Sequence, residues 1–398
     1  MTLTGFVLLY IVATIAIGVI AATRVKNTSD FALAGRSLPL PMVITATFAT
    51  WFGSETILGL PGRFIESGIA GVIEEPFGSG MALILVGTFF AHKLYKQNIL
   101  TLGDYYRDRY GRSVELLCSV AIVISYLGWV GAQVTALGLV INLITEGAVS
   151  MTTGMVIGAA VVLAYTMVGG MWSVAMTDFV QMIVIVVGLV AILWFATDLA
   201  GGMDKVVDYA RGRDLFHAFP EPTTTGWLFW ISAAMTMMIG SIPQQDVFQR
   251  VMSAKNLPTA VAGPILGGSF YILFAFVPMF IVVAAILVMP DAAEKMLSED
   301  PQQLLPTLVR DYMPMWLRVV FFGAVLSAVM STASATMLAP STIFVENVLR
   351  HFMKIDDRNM LRAMRLSVAV FAVCVLSYSI ALEGAAIYDR SLIHISEP

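Results

Sequence analysis

The sequence predicts an all-α, polytopic membrane protein, and three observations carry that expectation. Of its 398 residues, 58% are apolar and 13% charged, with a mean hydropathy of +0.83. Soluble domains carry roughly 45–50% apolar and about 25% charged residues, and a globule of this length could not hide so much apolar side chain from water. The apolar residues fall in runs close to the roughly 20 needed to cross a hydrocarbon core of about 30 Å. Glycine (32) and methionine (24) are abundant, as suits close-packed membrane helices with adaptable gaps. A soluble enzyme, a nucleic-acid binder and a disordered chain are excluded. The formal charge of −4 is too small and too evenly spread to attract a polyanion. Cys118 and Cys374 lie in apolar runs and read as small core residues.

Ten runs qualify as spans, at about 2–21, 41–62, 68–91, 115–144, 150–169, 174–198, 226–248, 258–289, 316–345 and 364–384. The first lacks the basic flank of a signal peptide and is followed by further spans, so it reads as a membrane helix. If the spans alternate, 15 of the 23 Lys and Arg residues gather on one side of the membrane. The positive-inside rule makes that side cytoplasmic and places the N-terminus outside. Residues 93–114 mix Leu94, Leu102, Tyr105, Tyr106 and Tyr110 with Arg107, Arg109 and Arg112, and predict an amphipathic helix against the inner leaflet. Residues 201–225 predict an outer loop with a short helix, and the proline-rich 290–314 another outer loop. The last residues, 386–398, resemble translated adapter sequence and are expected to be non-native.

Two spans carry more polarity than a lipid-facing helix tolerates. The second reads from Ala46 to Gly62 with Thr47, Thr50, Ser54, Glu55 and Thr56 inside it. A carboxylate at mid-bilayer costs several kcal/mol, so Glu55 needs a partner or a polar cavity. Gly53 permits the backbone to leave the helix, and an unwound stretch offers bare carbonyls to a cation or ligand. A kinked helix with a pore-facing glutamate is the plainer alternative. In the ninth span, Ala328, Ser331 and Thr332 stand at i, i+3 and i+4 on one face. Two hydroxyls and nearby carbonyls suit a hard cation such as sodium, although a Ser/Ala-rich helix is also what close packing requires.

Other polar residues recur in apolar surroundings: Trp129 and Gln133 on the fourth span, Asp178 after Gly169-Gly170, and Glu74-Glu75 before Pro76. Asp178 can line a pathway or cap a helix start, and Glu75 can line an entrance or end a helix. Asp246 and Arg250, four apart, are placed to pair. The four histidines are scattered in connections or the suspect tail, and no metal-ligand spacing or nucleophile–base pair stands out, so no enzymatic activity is expected.

Taken in order, Asp30–Leu38, Ala49–Gly62, Thr101–Tyr110, Gly169–Gln181, Pro243–Arg250 and Ser327–Phe344 resemble the sodium:solute symporter family, which includes sodium/proline, sodium/pantothenate and sodium/galactose carriers. The resemblance implies a LeuT-like core of two inverted five-helix repeats after one extra helix. Residues 1–40 hold that helix and a cytoplasmic connection, 41–200 the first repeat, 201–225 an outer loop, and 226–385 a second repeat that is incomplete. The chain is therefore expected to be C-terminally truncated, with low stability or no flux. It further implies a sodium site of the Ala49, Phe52 and Ala328 carbonyls with the Ser331 and Thr332 hydroxyls. Asp178 falls on the inner ion route. Thr50, Glu55 and Thr56 fall at or near solute positions, and Glu75, Trp129 and Gln133 face the same cavity. Phe52 replaces a smaller or more flexible apolar residue of relatives, which narrows the adjoining pocket.

The expected function is sodium-coupled symport of a small organic solute, such as an amino acid, sugar or carboxylate, across the cytoplasmic (inner or plasma) membrane by alternating access. Sodium is the coupling ion, no organic cofactor is needed, and the bilayer is the other partner. A proton-coupled carrier, with Glu55 and Asp178 relaying protons, and a solute-sensing domain lacking its signalling part are the alternatives.

Overall fold

The computed structural model describes residues 3–353 and 356–382, and the expected non-native tail lies outside them. Every extended element is helical. Among the described residues, seven helices are long and apolar enough to cross a membrane, or eight if a bent pair counts as one span. The sequence suggests ten because the span at 41–62 is broken into two short halves and the spans at 150–169 and 174–198 run together as one 49-residue helix.

The chain opens with α1 (Leu3–Ala22), apolar all round, whose Leu8, Leu9, Val12 and Ile20 face outward. The second span is broken. Helix α2 (Leu40–Trp51) starts behind Pro39 and stops at Phe52, whose φ of −87° and ψ of 71° are not helical. After a wide turn at Glu55–Gly59 the span resumes as α3 (Leu60–Ser67). Neither half alone is long enough to cross. The third span, α4 (Ile69–Gln97), departs from helical geometry at Glu75, just before Pro76.

The expected interfacial helix of 93–114 is divided. Asn98 takes a left-handed conformation that ends α4, and α5 (Leu102–Tyr110) begins afresh behind a Thr101–Asp104 capping box. A buried polar network anchors α5 to α6 (Arg112–Ile144) and to the central helix. Asn347 Nδ2 donates to Asp104 Oδ1 at 3.1 Å and to Glu115 Oε1 at 2.8 Å, while Thr101 Oγ1 donates to Asn347 Oδ1 at 2.6 Å. Arg107 reaches both carboxylates, at 3.1 and 3.4 Å.

Helix α7 (Met151–Leu199) runs 49 residues, or roughly 74 Å if straight, more than twice a hydrocarbon core. It is not straight. Gly170 has φ 49° and ψ −137°, and a Cβ there would meet the Phe31 carbonyl oxygen at 2.3 Å. The run divides where the Gly169-Gly170 pair predicts. Asp178 therefore stands inside a helix and caps nothing.

After α8 (Met203–Gly212), the bent pair α9 (Thr224–Gly240) and α10 (Gln245–Ser253) turns by 46° at Ser241–Gln244. Helix α11 (Leu257–Val288) packs on α2 and α4. The stretch 290–314 is not a loop: Pro290 sits in the first turn of Pro290–Glu299, where a missing N–H costs nothing, and Leu304–Tyr312 follows. Helix α12 (Met315–Phe352) is the most enclosed span and packs against α7, α6 and α2; α13 (Asp357–Ala381) closes the described chain.

Candidate functional site

The site forms where the α2–α3 break meets α6 and α12. At the break, Phe52 no longer continues the helix, and Thr332 Oγ1 on α12 donates across to the Ala49 carbonyl at 3.1 Å. A Cβ on Gly53 would lie 2.8 Å from both Thr332 Oγ1 and Glu55 Oε2, and 2.9 Å from Gln133 Oε1. No residue but glycine fits this junction without displacing one of the three. Ser331 donates to Asp178 Oδ1 on α7, so the Ser-Thr pair ties α12 to two different helices. Asp178 Oδ2 is buried without a hydrogen-bond partner. Ala328 lies buried one turn earlier, and the Phe52 ring is enclosed by Phe48, Phe274 and Tyr271.

Glu55 is 2% exposed and has the partners its depth demands. Gln133 Nε2 donates at 2.6 Å, Trp129 Nε1 at 3.1 Å and Ser54 Oγ at 3.3 Å. Gln133 Oε1 also accepts the Ser54 N–H at 3.0 Å, satisfying a backbone donor freed by the break. The neighbouring Thr56 faces α4 and α11: its hydroxyl donates to Glu75 Oε1 at 2.9 Å and lies 3.1 Å from the Tyr271 hydroxyl, which itself donates to Glu75. The departure from helical geometry at Glu75 aims its carboxylate inward. Two carboxylates, Glu55 and Glu75, thus stand on successive sides of one broken span, hydrogen-bonded by neutral donors. Above Glu55 the rings of Trp51 and Trp129 lie 5.2 Å apart, with Tyr126 stacked on Trp129 at 6.0 Å.

Thr50 does not join this cluster. Its hydroxyl donates to the Ala46 carbonyl at 2.6 Å and accepts from Arg250 Nη2 at 2.8 Å. The expected Asp246–Arg250 side-chain pair is not formed. Arg250 Nη1 takes the Asp246 backbone carbonyl at 3.1 Å, and the Asp246 carboxylate receives the Tyr126 hydroxyl. Sequence reading missed Tyr271, because one tyrosine in an apolar run carries the signal of an ordinary core aromatic.

The sodium:solute symporter family model matches residues 31–389. The chain belongs to the sodium:solute symporter family. Among its relatives, the human high affinity choline transporter 1 is 28% identical over 388 residues, 92% of this chain and 65% of that protein. The Drosophila melanogaster high-affinity choline transporter 1 is 26% identical over 96% of this chain and 62% of its own length. The zebrafish (Danio rerio) sodium/glucose cotransporter 4 is also 26% identical, over 86% of this chain and 57% of that protein. The chain thus spans less than two thirds of the length of these curated relatives. Its fold is similar to that of a Na+-coupled sialic acid symporter solved in a substrate-bound outward-open state, with TM-score 0.85 at 19% identity over 98% of this chain and 84% of that one. It also resembles the nucleobase-cation-symport transporter Mhp1, with TM-score 0.66 at 16% identity over 92% and 76% of the two chains. The chain is accordingly an all-α, polytopic membrane protein with a LeuT-like, inverted-repeat helical bundle.

Proposed function

We propose that this symporter carries a small organic solute across the plasma or inner membrane with sodium, by alternating access, and that its N-terminus lies outside. The observation that carries the reading is the 3.1 Å contact from Thr332 Oγ1 to the Ala49 carbonyl across the α2–α3 break. That contact brings a backbone carbonyl at the end of α2 and a hydroxyl of α12 to one point. The sodium ion is the co-transported substrate. Its ligands are the carbonyls of Ala49, Phe52 and Ala328 and the hydroxyls of Ser331 and Thr332, whose lone pairs turn to the ion when it enters. Five neutral oxygens suit a hard monovalent cation. Asp178, bonded to Ser331, lies next on the inward ion route. By joining α2 to α12 the ion orders the broken span, so sodium and solute strengthen each other reciprocally. Inward movement of the ion also gains about 2.3 kcal/mol per 100 mV.

The solute pocket is formed by Glu55, Thr56, Glu75, Trp129 and Gln133, with Trp51 and Tyr271 added; Thr50 supports it through Arg250. The relatives include choline transporters and a sodium/glucose cotransporter. Two carboxylates beside paired tryptophan rings favour an organic cation, since both attract positive charge. Binding tests the reading directly. Purified protein should bind labelled choline or a related ammonium solute only when sodium is present, and binding indifferent to sodium would refute the coupling. Glu55→Gln is expected to weaken cationic solute binding about 10–100-fold, the loss of one charge-assisted contact, with sodium binding retained. Equal solute affinity in that variant would remove Glu55 from the pocket. Proton coupling is the second reading, favoured by the burial of Glu55, Glu75 and Asp178; uptake driven by pH in sodium-free medium would select it.

A further inference from the structure

We propose that the cavity between the end of α4, helix α5 and the α9–α10 break binds the phosphate headgroup of an anionic phospholipid. The cavity encloses about 510 Å3, and its charged lining residues are Lys93 and Arg109, with no carboxylate among them. Gln97, Tyr105 and Tyr110 add polar groups that can donate to phosphate oxygens.

The two basic residues are not committed elsewhere. On the same helix, Arg107 holds Asp104 and Glu115, and Asp108 lies 3.5 Å from Arg107 Nε, which leaves Arg109 with only the Tyr110 ring beside it. Among the described residues neither Lys93 nor Arg109 forms a salt bridge. Phe89 and Phe90, 61% and 41% exposed, also line the cavity. Two basic groups beside exposed phenylalanines match a phospholipid, the phosphate meeting the former and the acyl chain the latter. A free phosphate would have no use for the rings. Residues 93–114 belong to the connections expected on the cytoplasmic side, where a negatively charged leaflet would add its own attraction.

The opposite wall is Ile242 and Pro243, the residues at which α9 and α10 part. A bound headgroup therefore bridges the interfacial helix of the first repeat to the break of the second. Lipid charge would set how easily that break changes angle.

The test is lipid composition around the purified protein. Protein reconstituted in nanodiscs of phosphatidylcholine with one tenth phosphatidylglycerol is re-extracted in mild detergent, and the retained lipids are quantified. Each basic side chain facing an anionic lipid is worth roughly a fivefold preference, so the pair predicts about a 25-fold enrichment of phosphatidylglycerol. The double variant Lys93→Gln/Arg109→Gln should lose it. Arg109→Lys should keep most of it, which separates charge from any fault of folding. Lys205→Gln/Arg213→Gln, which removes two basic residues from another connection, should leave it intact. No enrichment in the wild type, undiminished enrichment in the Lys93/Arg109 double variant, or displacement of the lipid by millimolar inorganic phosphate would each overturn the assignment. Because retention is read without sodium or solute, the outcome is independent of the transport reading.

Discussion

Replacing Ser331 and Thr332 together with alanine is expected to lower sodium affinity by about 10²–10⁴-fold while the helices still assemble. In the proposed site each hydroxyl offers an oxygen to the ion, and contacts to a charged group contribute roughly 1.5–3 kcal/mol apiece. Both side chains are fully buried on α12, so no water replaces them. Thr332→Ala alone removes the bond to the Ala49 carbonyl and loosens the joint between α2 and α12; Thr332→Ser should restore most of it. Ser331→Ala leaves Asp178 Oδ1 without its donor, so part of that loss reflects a stranded acceptor. Binding of radioactive sodium to purified protein is the measurement, because it needs only the helices described here and no completed transport cycle. Sodium affinity unchanged in the double variant would remove the ion from this junction, and with it the proposed coupling.

Gly170→Ala is expected to cost about 3–5 kcal/mol of stability. At φ 49° and ψ −137° an L side chain is strained, by about 1–3 kcal/mol. The added methyl would also meet the Phe31 carbonyl oxygen at 2.3 Å, a backbone atom that cannot swing aside. Total stabilities are about 5–15 kcal/mol, so the variant should show a sharp fall in monodisperse yield and a melting temperature lowered by many degrees. Gly212→Ala, in a position with open space around its Cβ, should melt like the wild type and serves as the control. A Gly170→Ala protein with unaltered melting would mean that α7 does not turn at this residue.

Much of the architecture is legible because the bilayer restricts the choices. Apolar length alone locates α1, α4, α6, α11 and α12, and the Gly169-Gly170 pair marks the division of α7. Legibility fails where a helix is interrupted for local reasons. The separation of α5 from α4 depends on a left-handed Asn98, and the helices within 290–314 depend on where each proline falls in its turn. In the candidate site, the i, i+3, i+4 spacing marks Ser331 and Thr332 for the same face. Nothing in that spacing says that Ser331 turns to Asp178 while Thr332 turns to Ala49. Thr50 shows the converse. It sits among site residues in the chain, but its helix angle directs its hydroxyl to Arg250.

Composition and the order of motifs were enough to establish a polytopic, helical member of a sodium-coupled carrier family, because hydrophobic length and buried charge are properties of the chain that no folding can hide. Which oxygens converge on one point, which carboxylate meets which donor, and which arginine is left unpaired on α5 depended on contacts between residues as far apart as 49 and 332. Those pairings follow from how the helices cross, and a one-residue rotation of α12 would carry Thr332 toward Asp178 and take Ser331 away from it without altering the hydropathy pattern at all.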